Sequence, residues 1–139
     1  MGPDLIRYLC VSLLLVSAQG LDIKTADQSV QVIEMTAKKY EFTPSPVHVK
    51  FGMKVQLKIT AIDRDHGFTI LRDPVGDETS PHPGLVFTSP VNGWKLKRGR
   101  ETTIEFVARV AGIYEFNCSL VCGLHHVRMK GRLIVDPII

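Results

Sequence analysis

Two thiols, two imidazoles and a thioether fall within the stretch Cys118-Ser119-Leu120-Val121-Cys122-Gly123-Leu124-His125-His126-Val127-Arg128-Met129. Thiolate and thioether are soft donors that favour copper, zinc or iron–sulfur. Imidazole suits copper and zinc, and a Met in the set points to a copper redox centre. A zinc site would use the Cys and His but not Met129. A Cys–His nucleophile needs one thiol and one base, and leaves a second Cys and the Met without a role. The residue types therefore indicate bound copper and no catalysis by the chain alone. A remote ligand is expected at His66, where the polar turn Asp63-Arg64-Asp65 delivers an imidazole followed by Gly67 and the apolar Phe68-Thr69-Ile70.

Such ligands need a rigid frame, and the periodicity supplies one. Val47-His48-Val49-Lys50-Phe51, Val55-Gln56-Leu57-Lys58-Ile59 and Thr102-Thr103-Ile104-Glu105-Phe106-Val107 alternate with period two, the mark of half-buried strands. Val30 to Lys38 alternates with a slip of one residue, which predicts a strand with a bulge. Pro44 and Pro46 exclude a helix or a central strand near Tyr40–Pro46. Ile113-Tyr114-Glu115-Phe116 runs as a strand into Cys118, and Arg132-Leu133-Ile134-Val135 closes the chain before Pro137. No stretch carries a helical repeat of useful length, so the expected class is an all-β sandwich. Residues 71–100 break the rhythm with four prolines and the single Trp94, and read as a long loop. Trp94 is expected to cap an edge of the core. The cluster Lys95, Lys97, Arg98 and Arg100 reads as a solvated turn in preference to a surface that meets an acidic redox partner, and His48 and His82 as surface residues.

The 139 residues suit one domain, and 45% apolar content is enough for a core without disulfides. The net charge of +3 is spread along the chain, without the basic stripe a nucleic-acid-binding surface requires. Residues 1–20 have a short polar start with Arg7, an apolar run from Tyr8 to Val16 and small residues at the end. That is the form of a signal peptide, and the run is too short to span the roughly 30 Å of a bilayer core. The expected organisation is thus a signal peptide at 1–20, a flexible leader at 21–29 and a domain at 30–139, exported to a periplasmic or other extracytoplasmic location. Membrane contact is expected only through a partner or an uncleaved N-terminal segment. Without residues 1–20 only Cys118 and Cys122 remain, and a disulfide between them would close too small a loop to stabilise the fold much.

The spacing Cys118-x3-Cys122-x3-His126-x2-Met129, with His66 upstream, resembles the binuclear copper (CuA) domain of cytochrome c oxidase subunit II and nitrous oxide reductase. The likeness runs from about Val30 to Val135 and includes Phe42-Thr43-Pro44, Asp65-His66-Gly67-Phe68 and Gly112-Ile113-Tyr114-Glu115-Phe116-Asn117-Cys118-Ser119. The resemblance implies a Greek-key cupredoxin β-sandwich whose two coppers share the thiolates of Cys118 and Cys122. His66 and His126 would each complete one copper, with Met129 the weak ligand on one and the backbone carbonyl of Leu120 on the other. It also implies that each copper stands formally midway between cuprous and cupric, so that the transferred electron is shared and each bond changes little.

Two departures from that family stand out. Leu120 occupies a position where the oxidase subunit usually has a Glu that reaches a magnesium ion, which weakens an oxidase-docking role while leaving a carbonyl ligand intact. The oxidase subunit also carries membrane helices where this chain has a signal-like segment. Both favour a free-standing electron carrier over an oxidase subunit, with a c-type cytochrome or a terminal oxidase as redox partner. The rival is a mononuclear blue-copper site built from His66, Cys122, His125 and Met129. His125 and His126 are adjacent, so spacing alone does not choose, but two coppers employ every motif residue whereas one leaves Cys118 a bystander thiol. A copper-delivery protein would use the same ligands.

Overall fold

A computed structural model describes residues 29–89, 93–120 and 129–139. The expected signal peptide, the leader up to residue 28, and Cys122, His125 and His126 lie outside the described residues. Ten strands are described: β1 (Val30–Lys38), β2 (Glu41–Thr43), β3 (Val47–Lys50), β4 (Lys54–Ala61), β5 (His66–Ile70), β6 (Leu85–Phe87), β7 (Gly93–Leu96), β8 (Glu101–Ala108), β9 (Gly112–Asn117) and β10 (Lys130–Asp136). No helix occurs among the described residues.

The strands form two five-stranded sheets, ordered β2-β1-β4-β8-β6 and β3-β10-β9-β5-β7. Alternation explains why they face one another. In β4 the side chains of Val55, Leu57, Ile59 and Ala61 are buried while their neighbours are half-exposed. Ile104, Phe106 and Ala108 do the same in β8, Tyr114 and Phe116 in β9, and Leu133 and Val135 in β10. Burying one face of each sheet against the other removes these apolar groups from water. The result is the all-β sandwich expected from the periodicity.

Two local expectations are corrected and two are met. β1 contains no bulge: it pairs with β4 in continuous parallel register from Val30↔Lys54 to Ala37↔Ala61. Val30 and Val32 simply face outward, 40% and 50% exposed, while Met35 and Ala37 face the core. Residues 71–100 are not one loop, because they include β6 and β7. These strands are short and lie at the sheet edges, where one partner suffices and little alternation is needed. Trp94 on β7 does brace the edge of the core, with its ring 5.3 Å from Phe87 and 6.2 Å from Phe68. The Pro-rich stretch after Tyr40 holds only the edge strand β2.

Tyr114 anchors the end of the sandwich where β9 begins. Its hydroxyl donates to the carbonyl of Val110 at 2.7 Å, and a side chain at Gly84 would strike the Tyr114 ring. Burial, followed by the charges of Asp73 and Asp77, pushes its pKa up to about 12. A tyrosine in the unfolded chain ionises near 10. The unfolded chain therefore loses its proton first, so stability is intact below about pH 10 and falls as pH rises from there toward 12. Tyr114→Phe should cost about 1 kcal/mol at neutral pH by loss of the hydrogen bond, and should flatten the alkaline decline. Urea unfolding at a series of pH values measures both effects.

Candidate metal centre

Strand period places His66, Phe68 and Ile70 on the inward face of β5, and Tyr114, Phe116 and then Cys118 on the inward side of β9 and its extension. His66 is 0% exposed and is the only buried polar or charged side chain among the described residues. An imidazole in such a place is costly unless its polar atoms are satisfied. Nε2 lies 2.6 Å from Asp63 Oδ1, and Nδ1 faces Cys118 Sγ at 4.0 Å. Since an ionised carboxylate only accepts, Nε2 carries the hydrogen and Nδ1 presents its lone pair to the sulfur.

Asp63 is held ready for this. Burial acts to raise its pKa, but hydrogen bonds from His66 and from the Lys39 and Arg64 backbone N–H groups outweigh it and hold the carboxyl below its ordinary range. Lys39 N donates to Oδ2 at 2.8 Å and Arg64 N to Oδ1 at 2.9 Å. The sequence reading passed over Asp63 as part of a polar turn. The available signal was an acid three residues ahead of the expected ligand, close enough to reach back to its outer nitrogen.

The sulfur of Cys118 is surrounded closely. Gly67 N–H donates to Sγ at 3.4 Å, and Sγ lies 3.3 Å from the carbonyl oxygen of Leu120. A Cβ on Gly67 would collide with the side chain of Ser119 and approach the Leu120 nitrogen to 2.9 Å. Glycine is thus what lets β5 lie against residues 118–120. Met129 is fully buried, and its carbonyl accepts from Cys118 N at 2.9 Å. That bond ties the end of β9 to the start of β10, where Asn117 pairs with Lys130.

Beneath the ligands lies an aromatic wall. Phe68 follows His66 by two residues and Phe116 precedes Cys118 by two. Their ring centres are 5.2 Å apart, and Phe42 packs edge-on to them at 5.6 and 5.4 Å. Such packing limits movement of the backbone that carries both donors.

Of the expected ligands, the structure brings together His66, Cys118 and the Leu120 carbonyl, with the backbone of the buried Met129 bonded to Cys118 N. Cys122 and His126 fall outside the described residues, and among those described no group of three or more His, Cys, Asp and Glu gathers to hold a metal. The described donors nonetheless suit copper. Metal–nitrogen and metal–sulfur bonds of about 2.0 and 2.3 Å bridge a gap of 4.0 Å, and imidazole, thiol sulfur, thioether and carbonyl form the mixed set that copper takes. His48 and His82 are exposed, and His48 pairs with Asp136 at 3.2 Å.

The model of the cupredoxin-like domain matches residues 8–135. The chain belongs to the cupredoxin-like family. Among curated relatives of this cupredoxin is nitrous-oxide reductase from Stutzerimonas stutzeri, 29% identical over 109 residues, covering 76% of this chain and 14% of the reductase. Another is cytochrome c oxidase subunit 2 from Thermus thermophilus, 25% identical over 103 residues, covering 74% of this chain and 64% of that subunit. The chain thus spans less than two thirds of either relative. Among solved structures, the periplasmic domain of subunit II of cytochrome oxidase from Bradyrhizobium japonicum superposes with a TM-score of 0.58 at 17% identity, over 77% of this chain and 84% of that one. Auracyanin from Roseiflexus castenholzii gives 0.53 at 22% identity, over 77% and 98%. At these identities the structural likeness speaks to the shared fold.

Asp63→Ala should lower copper affinity about 10- to 100-fold, because the ring loses the partner that orients it. Competition with a Cu(I) chelator reads the change. Gly67→Ala should destabilise the protein by about 1–3 kcal/mol through overpacking against residues 119 and 120, as measured by urea unfolding.

Proposed function

We propose that this cupredoxin is an electron-transfer protein with a binuclear copper centre. Cys118 and Cys122 would provide the bridging thiolates, His66 and His126 the terminal imidazoles, and Met129 and the Leu120 carbonyl the weak donors. The observation that carries the reading is the approach of His66 Nδ1 to Cys118 Sγ inside the core, at the same strand ends that hold Met129 and the Leu120 carbonyl. A lone thiol and imidazole on a rigid scaffold would serve one copper equally well. The second Cys, the second His and the likeness to a nitrous-oxide reductase and an oxidase subunit favour two.

When bound, copper supplies a one-electron couple that accepts these donors in both oxidation states. The chain's own contribution is to keep the donors still. Asp63 fixes the ring, the Gly67 N–H supports negative charge on sulfur, and the phenylalanine wall and the Cys118–Met129 bond resist displacement when the charge changes. This is carriage of single electrons, with no chemistry on a substrate of its own. A c-type cytochrome or a terminal oxidase would be the partner. An exported, extracytoplasmic location accords with the signal-like residues 1–20 and with the periplasmic domain among its structural neighbours.

Copper analysis with EPR after mild oxidation tests the centre. Two coppers per chain and a seven-line hyperfine pattern are expected, because one unpaired electron then couples equally to two copper nuclei. Cys118→Ser and Cys122→Ser should each abolish that pattern. One copper with four lines, unaffected by Cys118→Ser, would reassign the site to a mononuclear blue-copper protein. Copper held only as Cu(I), without a coloured oxidised form, would overturn electron transfer in favour of copper delivery.

A further inference from the structure

The edge strand beside the metal centre carries an unusual charge. Residues 93–100 read Gly-Trp-Lys-Leu-Lys-Arg-Gly-Arg, with four cations and no acid. β7 lies at the outer edge of its sheet, with Leu96 opposite His66 and Lys95 opposite Gly67. Gly67 N–H in turn donates to Cys118 Sγ. The basic edge therefore connects to the sulfur through one strand pairing and one hydrogen bond, and adjacent strands stand only about 4.8 Å apart.

The carboxylate of Asp65 fastens the far end of this cluster. It accepts from Lys97 Nζ at 3.0 Å and from the Arg98 backbone N–H at 2.9 Å, and Gly99 N–H bonds the Ala61 carbonyl at 2.8 Å. Residues 97–99 are thus held against the turn that leads into His66. Lys95, Lys97, Arg98 and Arg100 are all exposed, and Asp65 offsets only one of the four charges. The edge therefore keeps a local excess of positive charge beside the turn that leads into His66.

We propose that the Lys95–Arg100 edge is the electron-transfer docking surface, and that it receives a redox protein with an acidic face. This rests on the copper reading above and adds the partner's chemistry. Lysines on an edge strand also discourage strand addition, but Arg98 and Arg100 lie beyond β7, on the turn that leads to β8. A cationic edge raises the encounter rate with an anionic partner and orients it, and the effect weakens with salt. It directs the partner to the side of the molecule where the path to the sulfur is short.

The test uses the full chain. Paramagnetic hexacyanochromate(III), a substitution-inert trianion, should broaden the NMR signals of residues 64–67 and 95–100 in the metal-free and Cu(I)-loaded protein, and hexaamminechromium(III) should not. Lys95→Glu with Arg98→Glu and Arg100→Glu should remove the broadening. Lys95→Gln with Arg100→Gln, a milder surface change, should at least halve it, with circular dichroism verifying the fold of both variants. In the oxidised copper protein one electron passes from ferrocyanide, which becomes ferricyanide, to the centre. That rate should fall about tenfold or more between about 10 mM and about 0.2 M salt, while hexaammineruthenium(II) should show the reverse trend. Broadening spread over the surface or centred elsewhere would overturn the proposal, as would a ferrocyanide rate indifferent to salt. Co-sedimentation with phosphatidylglycerol vesicles through the same residues at about 0.15 M salt would reassign the edge to a lipid surface. The NMR map needs no electron transfer, so failure of the copper reading would appear in EPR and leave the map to stand or fall alone.

Discussion

The structure depends on keeping one imidazole and one thiol in a place where water cannot reach them. His66 and Cys118 occupy inward positions that the strand period would otherwise give to apolar residues. Polar atoms there are tolerated only when each has a partner. The partners are local: Asp63 for the outer ring nitrogen, and the Gly67 N–H and the Leu120 carbonyl for the sulfur. Each of these in turn requires a specific backbone course, a tight turn before β5 and the absence of a side chain at residue 67. The site and the fold at this end are consequently the same set of contacts.

That coupling bears on function. A redox centre works quickly when its surroundings need not rearrange as the charge changes, and a packed β interior is hard to deform. Phe42, Phe68 and Phe116 fill the space below the donors, and the bond from Cys118 N to Met129 O joins the two strands that flank the motif. His66, Cys118 and Met129 are buried, so anything that reaches them must approach over a neighbouring surface. The exposed bases Lys95, Lys97, Arg98 and Arg100 beside β5 make the approaches unequal.

Much of the frame was legible in the residues. β4, β8, β9 and β10 alternate so regularly that their buried faces can be read directly, and the two prolines after Tyr40 correctly limited that stretch to an edge strand. β1 was harder, because Val30 and Val32 are apolar yet face outward, and a slip of register looked necessary. β6 and β7 were missed, since three or four residues flanked by Pro and Gly carry too little pattern to separate a strand from a loop.

By itself the sequence determined the chemistry on offer, namely sulfur, imidazole and thioether donors at fixed spacing near the chain's end, and the all-β class that would carry them. Both follow from residue types and from periods of two, which are local properties. Only the tertiary structure decided that His66 turns its inner nitrogen to Cys118, that Asp63 holds the outer one, that Gly67 must be bare, and that a basic edge runs alongside. The contacts of His66 and Gly67 with residues 118–120 join positions some fifty apart. They arise when β5 lies beside β9 on one side and β7 on the other, an adjacency set by burying two apolar faces at once, which no local stretch of sequence records.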